Sequence, residues 1–313
     1  MTHWGITALN HGSSLAVIKG DSLVWTCSDK DNLPSELINN ALDYQGAPDR
    51  IYWYEKPWLK KTRQIYAGQY KTAFDMSVLP SVNLAKWGLG YAPVTYTAHH
   101  ASHAAAGYYT SPFDECAVVV LDAIGEWESA TIWHCKDNQM HKVWSKRYPH
   151  SLGLFYSAFT QLVGLEPIKQ EHMLQQMAAL GDASRYYNIV KTYMEFIMHT
   201  PKNLHRGVTD WPFELTTLQD QCDVAAAVQA IFEEQINMLM KSAKGLTGSE
   251  NLVYMGGCAM NTKANKIVEQ NWDRIWSLPN PGDASSSIGA VLYHTKQRIR
   301  HNWDSVKHIE ITK

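Results

Sequence analysis

Short apolar runs separated by turn signals open the chain. His3 to Leu9, Ser14 to Lys19 and Ser22 to Ser28 alternate or run apolar, with Asn10-His11-Gly12-Ser13 and Gly20-Asp21 between them. This pattern predicts a three-stranded antiparallel meander. A helix is predicted next, capped by Ser35 and apolar along Leu37, Ile38, Ala41 and Leu42. Ile51 to Tyr54 reads as a further strand, and the alanine-rich segment from Thr97 to Gly107 as a helix. Cys116 to Leu121 is short, apolar and valine-rich, which predicts a buried strand ending at Asp122. Trp127 to Cys135 and Met140 to Ser145 then repeat the hairpin pattern of the first thirty residues, and the repetition predicts two related α/β lobes facing each other. Residues 153 to 244 carry helical periodicity, interrupted by a polar loop around Thr200 to Pro212. Leu252 to Met255 is a short strand running into Gly256-Gly257 and a helix through Val268. Leu278 to Asp283 leads into the last long helix.

Five places in this pattern carry candidate chemistry. His99 and His103 are four apart on the predicted helix, so they share one face a turn apart, and with the strand-end Asp122 they make a possible N,N,O metal set. Histidines at this spacing also occur as hydrogen-bonded core residues. His100 lies about 100° around the helix and is not placed in the set. Gly256-Gly257 joins a strand to a helix start, where backbone N–H groups can cradle a phosphate, although a glycine pair also serves tight packing. Gly282-Asp283 stands at a second helix start, where a carboxylate can simply cap. Lys56, Lys60, Lys61 and Arg63 interleave with Trp58, Tyr66 and Tyr70, and Lys202, His205 and Arg206 precede Trp211 and Phe213. Such stretches can hold phosphates and stack bases, yet an amphipathic helix with snorkelling lysines looks the same, and for the first stretch the structural reading is favoured.

Composition narrows the classes. With 313 residues and 45% apolar content the chain can bury one large core or two packed ones, and a net charge of −2 excludes a general attraction to polyanions. The five cysteines are scattered without a C-x-x-C pair, which suits a reducing cytosol. No leader-like segment and no membrane-length apolar run is present, so a cytoplasmic protein without membrane contact is expected. The twelve tryptophans read as packing.

In order along the chain, HHASHAAAGYYTSPF, VVVLDAIGEWESATIW, SLGLFYSAFTQLVGL, NLVYMGGCAMNTKAN and PNPGDASSSIGAVLY resemble the motifs of the nodulation-type and antibiotic-type O-carbamoyltransferases, and NHGSSLAVI and IYWYEKPWLKK are similar to that family's N-terminal motifs. The resemblance implies an actin-like, sugar-kinase-like α/β fold, two ribonuclease-H-like lobes around a cleft, akin to the threonylcarbamoyl-transferase domain. It implies a divalent metal, Fe(II) first with Mn or Mg as alternatives, on His99, His103, Asp122 and Asp283. It implies donor or phosphate binding at Gly256, Gly257, Asn261 and Gly282, with ATP as a further candidate cofactor. His11 matches the histidine of an H-D-x-S turn, although Gly12 follows it here, and Lys30 is matched to a lysine whose acidic loop is missing. Glu171 is kept from a motif that here reads EHMLQQMA.

The expectation is therefore an N-terminal lobe over residues 1–115, a C-terminal lobe with a helical insertion over 116–313, and no adenylate-forming C-terminal domain. The expected activity is metal-dependent transfer of a carbamoyl group from carbamoyl phosphate to a hydroxyl acceptor, extending to the hydroxymethyl group of 5-hydroxymethylcytosine in DNA or a nucleotide. His11, Lys30 and Glu171 are the catalytic candidates, His11 first as base and Glu171 second. The alternatives are carbamoylation of a sugar-like or antibiotic-like alcohol from a partner's carbamoyl-adenylate, and a sugar-kinase-like ATPase or nucleotide-binding assembly subunit. The oligomeric state is left open.

Overall fold

The computed structural model describes residues 1–10, 12–29, 35–299 and 307–311. The opening apolar runs form the meander they predict: β1 (Thr2–Asn10), β2 (Gly12–Lys19) and β3 (Ser22–Asp29) pair antiparallel, with His3 opposite Ile18 and Leu15 opposite Cys27. Helix α1 (Ser35–Gln45) carries the chain over to β4 (Arg50–Trp53), parallel to β1. Helices α2 (Pro57–Tyr66), α3 (Tyr70–Phe74) and α4 (Pro80–Lys86) carry it on to β5 (Val94–Tyr96), parallel to β4. Parallel neighbours need such crossovers because the chain must return to the same end of the sheet.

After α5 (His99–Thr110) the same order is built again. β6 (Cys116–Leu121), β7 (Glu128–Lys136) and β8 (Gln139–Arg147) form a second meander. Helices α6 (Leu152–Leu162), α7 (Glu171–Met177), α8 (Tyr187–Lys191) and α9 (Leu218–Thr247) precede β9 (Asn251–Met255), parallel to β6. Helix α10 (Thr262–Asn271) then leads to β10 (Arg274–Trp276), parallel to β9. The sheets thus contain the matching orders β3-β2-β1-β4-β5 and β8-β7-β6-β9-β10, the doubling that the hydrophobic pattern predicts.

The chain then returns to the first sheet. Helix α11 (Asp283–Thr295) packs on β1, β2 and α5, and β11 (Lys307–Ile311) lies parallel to β3. A boundary at residue 115 assigns these last elements to the other lobe. They lie with the first because Leu15, Ala16, Val17 and Ile18 of β2 are all fully buried, so that sheet needs a cover on both faces.

All twelve residues of α5 are buried. Its alanines allow this: a Cβ at Gly289 would lie 1.7 Å from Ser102 O, so α11 and α5 meet backbone to backbone. On the other side, Val118 and Val120 of β6 join the core that holds α5, while Ala117, Val119 and Leu121 feed the core under α6 and α9. Helix α5 and strand β6 therefore sit where the two lobes meet. The five cysteines are free thiols, and among the described residues no helix is long and apolar enough to cross a membrane.

Candidate metal centre

Three elements end at this junction and each delivers a ligand-type side chain. Strand β6 ends in Asp122, whose Oδ1 accepts from the Ala123 N–H at 3.0 Å, which turns Oδ2 toward α5. His99 opens α5 and His103 follows one turn later, so their Nε2 atoms stand 3.1 Å apart. Asp283 opens α11, and the close packing of α11 on α5 sets its Oδ1 3.2 Å from His103 Nε2 and 3.5 Å from His99 Nε2. Asp122 Oδ2 lies 3.3 Å from His99 Nε2 and 3.2 Å from His103 Nε2. One ligand atom from each of the four residues falls within 4.8 Å of the others.

The donor set fits a divalent cation. Two imidazole nitrogens and two carboxylate oxygens converge on one point, an N2O2 combination that suits iron, manganese or zinc. In the absence of an ion, positive charge must come from protons. Burial pushes the His99 imidazolium down, but Asp283, Asp122 and Glu126 outweigh it and hold its pKa at about 10. Burial likewise disfavours charge on His103 and on Asp122; hydrogen bonds between them and their neighbours reverse both effects, raising His103 and holding Asp122 well below the usual carboxylate range. A bound cation would take the place of those protons.

The surroundings fix the ligands. Ser286 Oγ lies 3.2 Å from His103 Nδ1, a partner that leaves Nε2 facing the cluster. His99 Nδ1 is buried with no hydrogen-bond partner among the described residues. The backbone N–H of His99 donates to both oxygens of Glu126 at 3.0 Å, and Glu126 Oε1 also accepts from the Lys56 N–H at 2.7 Å. Glu126 is 3% exposed and joins the start of α5 to the segment that leads into α2. Sequence reasoning missed this residue, because its two amide partners lie 27 and 70 positions away. His100 faces away from the cluster, with Nδ1 3.1 Å from Thr131 Oγ1 of β7.

The glycine pair borders the centre. A Cβ at Gly257 would lie 3.0 Å from Asp122 Oδ1. The Gly256 N–H donates to Pro281 O at 2.9 Å, which ties this turn to the start of α11, where Gly282 is the uncapped N-cap residue. Asn261 caps α10 by accepting from the Ala264 N–H at 3.1 Å and exchanges two hydrogen bonds with Gln229. The Gly256 amide and the Asn261 side chain are thus committed within the fold. Glu171 Oε1 accepts from Ser157 Oγ at 2.7 Å and from the Ile168 N–H at 2.5 Å. Burial, then Asp122, then Glu171 push the Cys258 thiol up, so both carboxylates bear on the turn after Gly257. His11 and Lys30 lie outside the described residues.

Gly256 supports a test of how the turn holds Asp122. Its φ of 97° with ψ of 166° is a conformation for glycine alone, and a Cβ there would stand 2.3 Å from Leu121 O. Gly256→Ala is expected to lower stability by about 3 kcal/mol or more, read as a lower denaturant midpoint at unchanged slope. A midpoint equal to the parent's would show that the turn does not press on β6.

The two matching sheets, with the cluster of four ligand-type side chains where they meet, define an α/β protein of actin-like, sugar-kinase-like fold. Residues 60–292 match the family described as Carbamoyltransferase N-terminus, and the chain belongs to that family. Among curated relatives, the uncharacterized protein sll1178 of Synechocystis sp. is 28% identical over 348 residues, which cover 93% of this chain and 57% of that protein. Nodulation protein NolO of Bradyrhizobium diazoefficiens is 24% identical over 205 residues, covering 62% of this chain and 37% of that protein. The chain thus spans about half the length, or less, of the relatives it matches.

Two solved structures share the fold. Component A of the (R)-2-hydroxyglutaryl-CoA dehydratase of Acidaminococcus fermentans aligns with a TM-score of 0.51 over 95% of this chain and 99% of its own, at 12% identity. The ethanolamine utilization protein EutJ of Carboxydothermus hydrogenoformans aligns with a TM-score of 0.50 over 94% and 90%, at 10% identity.

Proposed function

We propose that this chain transfers a carbamoyl group from carbamoyl phosphate to an alcohol, at a centre where His99, His103, Asp122 and Asp283 hold a divalent metal, Fe(II) first. The observation that carries this reading is the convergence of those four ligand atoms within 4.8 Å, in a chain of the carbamoyltransferase family. When bound, such an ion supplies Lewis acidity toward a carbonyl or an alcohol oxygen. In the balanced reaction the acceptor oxygen bonds to the carbamoyl carbon, the carbon–oxygen bond of the mixed anhydride breaks, and phosphate leaves with the electron pair. The hydroxyl proton passes to a base, for which His11 and then Glu171 are the candidates.

The residues around the centre support this chemistry. Glu126 holds His99 from behind, and Ser286 orients His103. Of the two helices that start here, α5 has its first amide taken by Glu126, whereas α11 begins at Gly282 with no side-chain cap. At that start the Ser285 N–H turns back to Gly282 O and Asp283 supplies a carboxylate, so the amides of Asp283 and Ala284 are what the helix end would offer a phosphate.

The reading extends to the hydroxymethyl group of 5-hydroxymethylcytosine as acceptor, a primary alcohol that in a duplex must be flipped out or supplied single-stranded. Purified protein, metal and carbamoyl phosphate should add one carbamoyl group per modified base of hydroxymethylcytosine DNA or nucleotide, measured by mass spectrometry of the digest. No carbamoylated nucleoside alongside efficient carbamoylation of a sugar-like alcohol would remove the nucleobase acceptor. ADP release with no carbamoylated product on any acceptor would replace the transferase reading with that of an ATPase.

A further inference from the structure

The two cation-rich stretches of the sequence lie about 140 residues apart, and the structure sorts their charges. Lys60 pairs with Glu55 at 2.8 Å, Lys61 donates to the carbonyls of Ala73 and Asp75, and Lys202 pairs with Asp210. Arg63 from the first stretch and His205 and Arg206 from the second come together. A hollow of about 320 Å³ opens between the end of α2 and the 203–206 turn, walled by Tyr66, Gln69, Tyr148, Asn203, His205 and Arg206, and no carboxylate lines it.

Arg63 lies behind this wall, 7% exposed. Its guanidinium stands 5.8 Å from the Tyr148 ring centroid and 3.4 Å from Gln69 Oε1, and its Nε has no hydrogen-bond partner among the described residues. Neither Arg63 nor Arg206 forms an ion pair among the described residues. Glu55 acts on Arg63 electrostatically but is paired with Lys60, so the buried guanidinium has no acid within ion-pair distance, a cost that an anion bound beside it would offset.

The neutral groups of the hollow are donors as well. Tyr148 Oη accepts from Asn203 Nδ2 at 2.9 Å and stands 3.2 Å from His205 Nδ1. If the phenol donates to Nδ1, His205 keeps an Nε2–H to offer; if Nδ1–H donates to the phenol, Tyr148 keeps its O–H. Burial, Arg63 and Arg206 lower the His205 pKa, so the ring gains charge most readily when an anion is beside it. Tyr66 at the rim is 68% exposed and meets Trp127 and Tyr148 at 5.4 and 6.2 Å between ring centroids.

This hollow is separate from the metal centre, since none of the four ligands lines it. One short segment joins the two: Asp122 stands in the centre, Glu126 holds His99, and Trp127 contacts Tyr66 and donates through Nε1 to Thr62 Oγ1 at 3.1 Å. Two guanidiniums with no acid between them disfavour an aminated sugar and favour a phosphate.

We infer that the hollow is a phosphate-binding subsite through which the protein holds a nucleotide-type acceptor. Its part in transfer rests on the carbamoyl-transfer reading above; the binding itself does not.

The test is calorimetric titration of the metal-loaded protein with deoxycytidine, dCMP and a short single-stranded oligodeoxycytidylate. A phosphate-bearing probe should bind at least about tenfold more tightly than deoxycytidine, and Arg206→Gln, an exposed position, should remove about tenfold or more of that affinity at unchanged metal content. Arg63→Gln, confirmed as folded by circular dichroism, should do the same. Preference for dCMP identifies a free nucleotide; tighter binding of the oligomer, with affinity falling linearly in log salt, identifies a strand. Equal affinity for deoxycytidine and both phosphate-bearing probes, unchanged binding in Arg206→Gln, or binding abolished by a chelator would each overturn the subsite. If binding follows Arg206 but no acceptor gains a carbamoyl group, the subsite stands and the transfer reading falls. If a phosphate-bearing alcohol is carbamoylated with the same KM by parent and Arg206→Gln, the transfer reading stands and the subsite falls.

Discussion

His103→Ala should purify without metal and without carbamoyl transfer while keeping its fold. The expectation follows from geometry: His103 Nε2 lies 3.1 to 3.2 Å from the ligand atoms of His99, Asp122 and Asp283, so its removal opens the middle of the set rather than its rim. Three ligands would remain, with His99 left as the one imidazole between the two carboxylates. Elemental analysis should find about one metal per parent chain and a small fraction of that in the variant. The rate should fall by about a thousandfold, the equivalent of roughly 4 kcal/mol of transition-state stabilisation. A second readout needs no substrate. If free metal is held at about a hundred times its dissociation constant, the parent should gain about 2.7 kcal/mol of stability that His103→Ala does not gain. Unchanged metal content in both His103→Ala and Asp283→Ala would end the metal proposal.

With carbamoyl phosphate as donor, transfer should proceed at full rate in the complete absence of ATP. Carbamoyl phosphate is already a mixed anhydride, so its carbamoyl group can pass to an alcohol with phosphate as leaving group and no further activation. In the proposed function the first amides of α11, at Asp283 and Ala284, would give that phosphate a positive helix end. The measurement compares initial rates with and without ATP and follows phosphate, AMP and pyrophosphate. Phosphate should appear one for one with carbamoylated acceptor, and AMP should not appear. An absolute ATP requirement with AMP and pyrophosphate released would establish carbamoyl-adenylate as donor, and this half of the proposed function would fail.

Much of the architecture is legible in the residues. The alternation in β1 to β3 and again in β6 to β8 sets out the doubled meander, because the side-chain period of a strand is a local property. Helical spacing puts His99 and His103 on one face of α5 for the same reason, and the end of the valine run marks where Asp122 leaves its strand. Element edges and short strands were less readable: β5 and β10 have three residues each, too few for a period to show.

What the tertiary structure decided is which distant residues meet. Periodicity alone leaves Asp283 between a helix cap and a ligand; the backbone contact of Gly289 with Ser102 brings α11 against α5 and sets the carboxylate beside both imidazoles. Cys116 and Cys135, scattered in the sequence, face each other across β6 and β7 as free thiols. Glu126 reads as one more polar residue in a turn until two amides from other parts of the chain converge on it. The basic stretches look alike in sequence, and only packing separates Lys60, Lys61 and Lys202, which bond to carboxylates or carbonyls, from Arg63 and Arg206, which form no ion pair among the described residues. Local propensity acts over a few residues and is written in spacing, whereas a site assembled from positions 99, 122, 126 and 283 depends on how whole elements pack, which no spacing encodes.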